Sequence, residues 1–186
     1  MFSIRLEQPA DSVAIESLLD LAFGADRRRK TSYRFRDGIA PLTDLCFVAE
    51  AEAGRLVGTV RYWPILAGSV PALLLGPLAI EPARQGRGVG RALVFHSLDV
   101  AAQAGHGLVF LVGDPAYYER FGFDPVPPGI VMPNESPARL QYRLLDPALA
   151  LPRKATLRRR PCPAARPPGS VASLAGKAIA GASCIP

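Results

Sequence analysis

Cysteine is scarce in this chain. Only Cys46, Cys162 and Cys184 occur among 186 residues, with no CxxC pair and no histidine close by. That spacing excludes a zinc-ribbon type of metal site and a disulfide scaffold, and it suits free thiols in a reducing compartment. No metal site is expected. The opening residues MFSIRLEQPADS lack a basic stretch followed by an apolar one, so no signal peptide is expected. Long apolar runs are missing too. The longest uncharged stretch, Tyr62 to Ile80, is broken by Pro64, Gly68, Pro71, Gly76 and Pro77. A spanning helix needs roughly 20 mostly apolar residues, so this stretch reads as two strands joined by a turn. The expectation is a cytoplasmic protein with no membrane partner.

Acidic residues are absent from the last 40 positions. Residues 1–146 hold 15 Lys and Arg against all 16 Asp and Glu, a net charge of −1, whereas residues 147–186 hold seven basic residues and no acid. The whole excess of +6 therefore sits in the tail. It is no argument that the folded part binds nucleic acid, and no nucleic-acid partner is expected. The tail also has seven prolines and no aromatic residue. It lacks stacking groups for single strands and enough apolar surface to offset chain entropy. The expected organisation is one folded domain at 1–149 and a disordered tail at 150–186, with weak helix at most in the Ala- and Gly-rich stretch 171–182. The chain is long enough for one domain, and its apolar and charged fractions, 49% and 20%, are those of a globular protein.

Ile4 and Leu6 alternate with Arg5 and Glu7, a short strand with one buried face. Ile15, Leu18, Leu19, Ala22 and Phe23 form one apolar stripe at helical spacing, stopped by Gly24. The basic run Arg27-Arg28-Arg29-Lys30, with Arg34 and Arg36 beyond it, has two readings: a solvated surface segment, or a flap over a substrate groove. Leu45–Ala51, Leu56–Trp63 and Ala72–Ile80 then read as a three-stranded meander, and the last, apolar on both faces, is expected to be central. Pro77 inside it implies a bulge or an unpaired edge. A helix pattern runs from Val89 to a stop at Gly105, followed by a buried strand Leu108–Val112. Pro115 starts a short helix that closes at Gly122, and Arg139–Leu145 reads as a last strand.

Between the meander and that long helix lies Glu81-Pro82-Ala83-Arg84-Gln85-Gly86-Arg87-Gly88-Val89-Gly90, a basic loop punctuated by glycine. A strand, a tight glycine loop and a helix N-terminus make an anion site: the first helical amides have no intrahelical partner, and the macrodipole adds positive charge. Arg84, Arg87 and Arg91 add full charges, so the expected ligand is a phosphate or pyrophosphate. A P-loop is excluded because Arg91-Ala92, not Lys-Ser or Lys-Thr, follows Gly90. A dinucleotide fingerprint fits poorly because the glycines run G-x-G-x-G.

In register, Gln85, Gly88 and Gly90 resemble the Q/R-x-x-G-x-G/A segment of the GCN5-related N-acetyltransferase (GNAT) superfamily. The elements around it are similar as well: a fourth strand before the loop, a long helix from it, a fifth strand, and the Y-x-x-x-G-F pattern Tyr118-Glu119-Arg120-Phe121-Gly122-Phe123. The run Gly113-Asp114-Pro115-Ala116-Tyr117-Tyr118 resembles the YhbS-like bacterial branch. The resemblance covers about residues 2–149. It implies an α/β (α+β) GNAT fold: a mixed, mostly antiparallel central sheet, flanked by about four helices, whose fourth and fifth strands splay apart. Acetyl-CoA is then the cosubstrate. The resemblance assigns its pantetheine arm to the backbone of Leu78, Ala79 and Ile80, and its pyrophosphate to the amides of Gln85, Gly86, Arg87, Gly88, Val89, Gly90 and Arg91.

The implied reaction is direct attack of a primary amine, on a small molecule or a peptide, on the thioester carbonyl. The resemblance gives Tyr118 the role of proton donor to the departing thiolate. The alternative is a non-catalytic acyl-CoA-binding module of the same fold, and the family pattern admits a homodimer. A base is not evident. The stretch Leu73-Leu74-Leu75-Gly76, where some family members place a glutamate, has no carboxylate. Glu81 reads as a loop residue, Asp114 as a helix cap, and His96 and His106 as structural. Cys46 lies away from the thioester, so no acyl-cysteine route is expected.

Overall fold

The computed structural model describes residues 1–160 except Lys30. Its strands are β1 (Phe2–Leu6), β2 (Phe47–Ala51), β3 (Leu56–Ala67), β4 (Val70–Ile80), β5 (Leu108–Val112), β6 (Asp124–Pro125), β7 (Ile130–Val131), β8 (Leu140–Leu144) and β9 (Ala155–Arg159). Its helices are α1 (Ser12–Phe23), α2 (Thr31–Arg34), α3 (Val89–Gln103) and α4 (Pro115–Tyr118). The sheet runs β1-β2-β3-β4-β5-β8-β6, with β9 joined to β3 and β7. Neighbours are antiparallel except β4 with β5 and β7 with β9. The mixed, mostly antiparallel sheet and the four helices agree with the expected architecture.

The helices end where backbone chemistry requires. Gly24, at φ +82°, donates its amide to Asp20 O at 2.9 Å and stops α1. The α1 stripe seats Ile15, Leu18 and Leu19 against Val48 and Ala79. α3 buries Val89, Leu93, Val94 and Leu98 in the main core with Phe47, Val60, Tyr62, Leu73 and Val109. The apolar β4 is central, between β3 and β5, as its sequence implies. β1 departs from expectation: Ile4 is half-buried, but Leu6 is 48% exposed.

The ordered chain reaches past the expected boundary at 149. β2 leaves β3 after Phe47 meets Val60, and β9 takes up the vacated edge, pairing Arg159, Arg158 and Leu157 with Ile65, Leu66 and Ala67. Ala155 and Leu157 are buried beside Trp63, Ile65 and Ile130. Residues 155–159 therefore belong to the domain, because a strand edge with an apolar face awaits them. The remaining tail, 161–186, with its expected disorder and weak helix, lies outside the described residues.

Candidate active site

The site begins with a defect in pairing. β4 and β5 align at only two positions, Leu73 with Val109 and Leu74 with Phe110. On the other side of β4 the register with β3 slips: Tyr62 faces Leu75 and Val60 faces Leu78, so Gly76 and Pro77 together oppose Arg61. This is the bulge that Pro77 implies, since proline has no N–H to give the ladder. Beyond it Leu78, Ala79 and Ile80 pair with β3 alone, and they border a cleft of about 580 Å³ that the glycine loop, the end of α1 and α4 complete.

At the end of this cleft lies the glycine loop. Gly86 and Gly88 take φ of +74° and +83°, left-handed values that side chains resist. Within the loop Gln85 N donates to Pro82 O at 3.2 Å and Arg87 N to Arg84 O at 3.4 Å. Those two amides are already engaged. The first amides of α3, those of Val89, Gly90 and Arg91, precede the first helical bond, from Ala92 N to Gly88 O at 2.9 Å. Gly90 is small for a different reason than phosphate approach: an added Cβ would stand 2.8 Å from Tyr117 Oη and 3.3 Å from Ile80 Cγ1.

The cleft brings together Leu78, Ala79, Ile80, Gln85, Gly86, Gly88, Gly90, Arg91 and Tyr118. Two expected residues point elsewhere. Val89 is buried in the core, which leaves only its backbone to a ligand, and Arg87 is exposed outside the cleft lining with its amide already bonded to Arg84 O. Arg120 and Phe23 line the cleft without having been expected. Arg120 lies inside the Tyr118–Phe123 motif, and its guanidinium stacks 5.0 Å from the Tyr117 ring centre. Phe23 closes the α1 stripe, which on sequence reads as core.

Tyr118 occupies the junction of this cleft and a second cavity of about 470 Å³ lined by Arg36, Leu75, Gly76, Gly113, Asp114 and Arg139, among others. Asp114 caps α4, accepting the Ala116 amide at 3.1 Å. The two tyrosines pack edge-on with ring centres 4.9 Å apart, yet they reach different neighbours. Tyr117 lies over Gly90 at the loop, while Tyr118 packs edge-on against Phe123 at 5.9 Å and borders both cavities. Burial pushes the Tyr118 phenol well above its usual range; Tyr117 adds to the rise, and Arg36 and Arg139 oppose it.

The remaining candidates are structural. Glu81 is held by Arg55 at 2.5 Å and by Arg84 at 4.0 Å. His96 packs edge-on against Phe47 at 4.7 Å. The buried Cys46 thiol donates to Leu42 O at 3.1 Å, and burial raises it to about 12, so it is no nucleophile at neutral pH. The basic run divides. Arg27 is buried in ion pairs with Glu16 and Asp20, Arg28 and Arg29 face solvent, and Arg36 enters the second cavity.

Residues 43–125 match the acetyltransferase (GNAT) domain family, a span from just before β2 to β6 that includes the loop and Tyr118. The N-acetyltransferase YhbS of Escherichia coli K12, itself uncharacterized, is 35% identical over 124 residues, which is 65% of this chain and 72% of YhbS. The chain belongs to the GNAT acetyltransferase family. Among solved GNAT structures, that of E. coli YhbS in complex with CoA aligns with a TM-score of 0.71 at 28% identity, over 86% of this chain and 89% of YhbS. A GNAT acetyltransferase of Brucella melitensis in complex with acetyl-CoA aligns at 0.67 and 28% identity, over 86% of this chain and 96% of that one. Among the described residues, no helix of this GNAT chain is long and apolar enough to cross a membrane.

Proposed function

We propose that this GNAT protein moves an acetyl group from acetyl-CoA to a primary amine by direct attack, with the cosubstrate in the cleft bordered by the end of β4, the glycine loop and α4. The observation that carries the reading is the junction at Tyr118. One cleft is lined by the glycine loop, a second cavity adjoins it, and Tyr118 borders both. A cofactor arm in the first and an acceptor in the second meet there. The neighbours crystallised with CoA and acetyl-CoA support the cosubstrate. In this arrangement Leu78–Ile80 pair with the pantetheine as an added strand would, and the amides of Gly86 and of Gly88 to Arg91 receive the pyrophosphate.

The neutral amine attacks the thioester carbonyl, the C–S bond breaks, and the sulfur leaves as a thiolate. An alkyl amine has a pKa near 10.4, so most of it must shed a proton before attack. Burial keeps the Tyr118 phenol protonated. Full transfer of its proton to a thiolate, whose acid has a pKa of about 8.5, is uphill. Tyr118 therefore donates a hydrogen bond to the developing negative sulfur and keeps its proton, and the proton released by the ammonium nitrogen after attack reaches sulfur through solvent. The acceptor is a small molecule or a peptide amine. Thiol release from acetyl-CoA, measured against a panel of amines, tests the reading. Turnover with some members supports it, whereas CoA binding without turnover on any primary amine assigns the chain to the non-catalytic alternative.

A further inference from the structure

Arg36 is the unusual group in the second cavity. Its Nε is fully buried and has no hydrogen-bond partner. Other arginines of the N-terminal half reach carboxylates: Arg5 to Asp11 and Glu50, Arg27 to Glu16 and Asp20, Arg61 to Glu7. Arg36 reaches none among the described residues. It lies instead over two aromatic rings, 5.4 Å from the centre of Tyr33 and 5.0 Å from that of Trp63. Its Nη2 stands 3.1 Å from where a Cβ on Gly76 would be, so it reaches the bulge of β4. Trp63 is fixed in turn, donating Nε1 to Ile39 O at 3.1 Å.

Burial lowers the Arg36 pKa to about 10, so the guanidinium remains charged at neutral pH. A desolvated cation without a counter-ion is costly unless a ligand completes it. The aromatic faces hold it in place but leave its Nε without a hydrogen bond. We infer that the acceptor amine carries a carboxylate on the same small molecule, and that Arg36 binds this carboxylate in the second cavity. The inference rests on the acetyltransferase reading above. A guanidinium fork matches a carboxylate with two parallel hydrogen bonds. The rest of the lining selects the partner's overall charge. Arg36 and Arg139 share the cavity with Asp114 and Glu135. Two cations and two carboxylates suit a zwitterion, a molecule with one amine and one carboxylate, and disfavour a phosphate dianion. Gly76, with no side chain, lets the guanidinium lie against β4 and face the cavity, and Tyr118 lines the same cavity, where the amine must arrive.

The test uses the full chain saturated with CoA, so that it does not depend on turnover. Calorimetry compares a panel of N-acetyl-amino acids, the expected products, with their uncharged amides. The acids are expected to bind more tightly by about 10- to 100-fold, the worth of a charge-assisted hydrogen bond. Arg36→Met is expected to abolish that preference and leave CoA affinity unchanged. Arg36→Lys, which keeps the charge but loses the fork, is expected to retain part of it, and it serves if the methionine variant is unstable. Equal binding of acids and amides by the unaltered chain overturns the inference. So does a preference that survives in Arg36→Met, or tighter binding of a phosphorylated amine than of any carboxylate. Loss of the acetyltransferase reading shows separately, as absence of thiol release from acetyl-CoA with every acceptor.

Discussion

The ring of Tyr118 occupies the space where a side chain on Gly113 would begin: an added Cβ would overlap its Cε2 and stand 2.7 Å from its Cδ2. Gly113 follows β5, and its amide donates to Arg139 O at 3.0 Å, so its backbone cannot retreat without breaking the link to the start of β8. The glycine is thus what lets Tyr118 lie flat at the cleft junction. Gly113→Ala is expected to displace the ring, lowering kcat by about tenfold or more while CoA affinity changes little, because a small misplacement at a reacting centre is costly. Steady-state kinetics alongside a CoA titration checks this.

The glycine loop makes a separate prediction. Gly88→Val forces a β-branched residue into φ +83°, at a cost of about 1–2 kcal/mol, and moves the first helical amides. CoA affinity is expected to fall at least tenfold, with a drop of a few degrees in Tm. Gly90→Val is expected to act differently. It collides with Tyr117 and Ile80 and should lower Tm more than Gly88→Val does. Calorimetry and thermal melts on the two single variants separate a ligand effect from a packing effect.

Much of this frame was legible in the sequence because it is encoded locally. The α1 stripe with its Gly24 stop, the α3 pattern, the apolar β4 and the cap-proline start of α4 each need only near neighbours to be read. Pro77 even marked the bulge. β9 was not legible. Ala155 and Leu157 alternate with Thr156 and Arg158, but five residues of alternation inside a basic, proline-rich stretch carry little weight until the empty edge of β3 is seen. Arg36 was hidden for the same reason. Within a basic run nothing distinguishes Arg27, ion-paired on α1, from Arg36, which enters a cavity. That distinction lies in long-range contacts with Trp63 and Gly76.

The strand β9 gives the third prediction. A chain ended at Leu151 loses β9 from the edge of β3 and exposes Trp63, Ile65 and Ile130. Burial of apolar surface is worth roughly 25 cal/mol per Å², so Tm is expected to fall by several degrees. A chain ended at Arg160 is expected to keep the Tm and CoA affinity of the full chain. Thermal melts on both truncations check the pair, and an unchanged Tm on ending at Leu151 would show that β9 adds nothing to stability.

The pH dependence follows from the direction of the Tyr118 shift. An ordinary phenol loses its proton near pH 10. Burial and Tyr117 push Tyr118 above that, against the opposing charges of Arg36 and Arg139. The protonated, hydrogen-bonding form is therefore present at all lower pH and is lost only as pH rises through the elevated value. With a good acceptor, kcat/KM is expected to rise with pH as the amine loses its proton, and to show no decline from Tyr118 up to about pH 10. A pH–rate profile with a falling limb near pH 8 that disappears in Tyr118→Phe would contradict the shift.

The role of Tyr118 in transfer is tested most directly by thiol release from acetyl-CoA in Tyr118→Phe beside Tyr117→Phe. Removing one hydroxyl keeps the ring against Gly113 and Phe123. Loss of a hydrogen bond made only to the developing thiolate is expected to lower kcat and kcat/KM together, by about 10²-fold or more. Tyr117→Phe, altered at the loop rather than at the junction, is expected to stay within a few-fold of the unaltered chain. Near-full turnover in Tyr118→Phe, or a loss confined to Tyr117→Phe, would contradict the placement of the reacting sulfur at Tyr118.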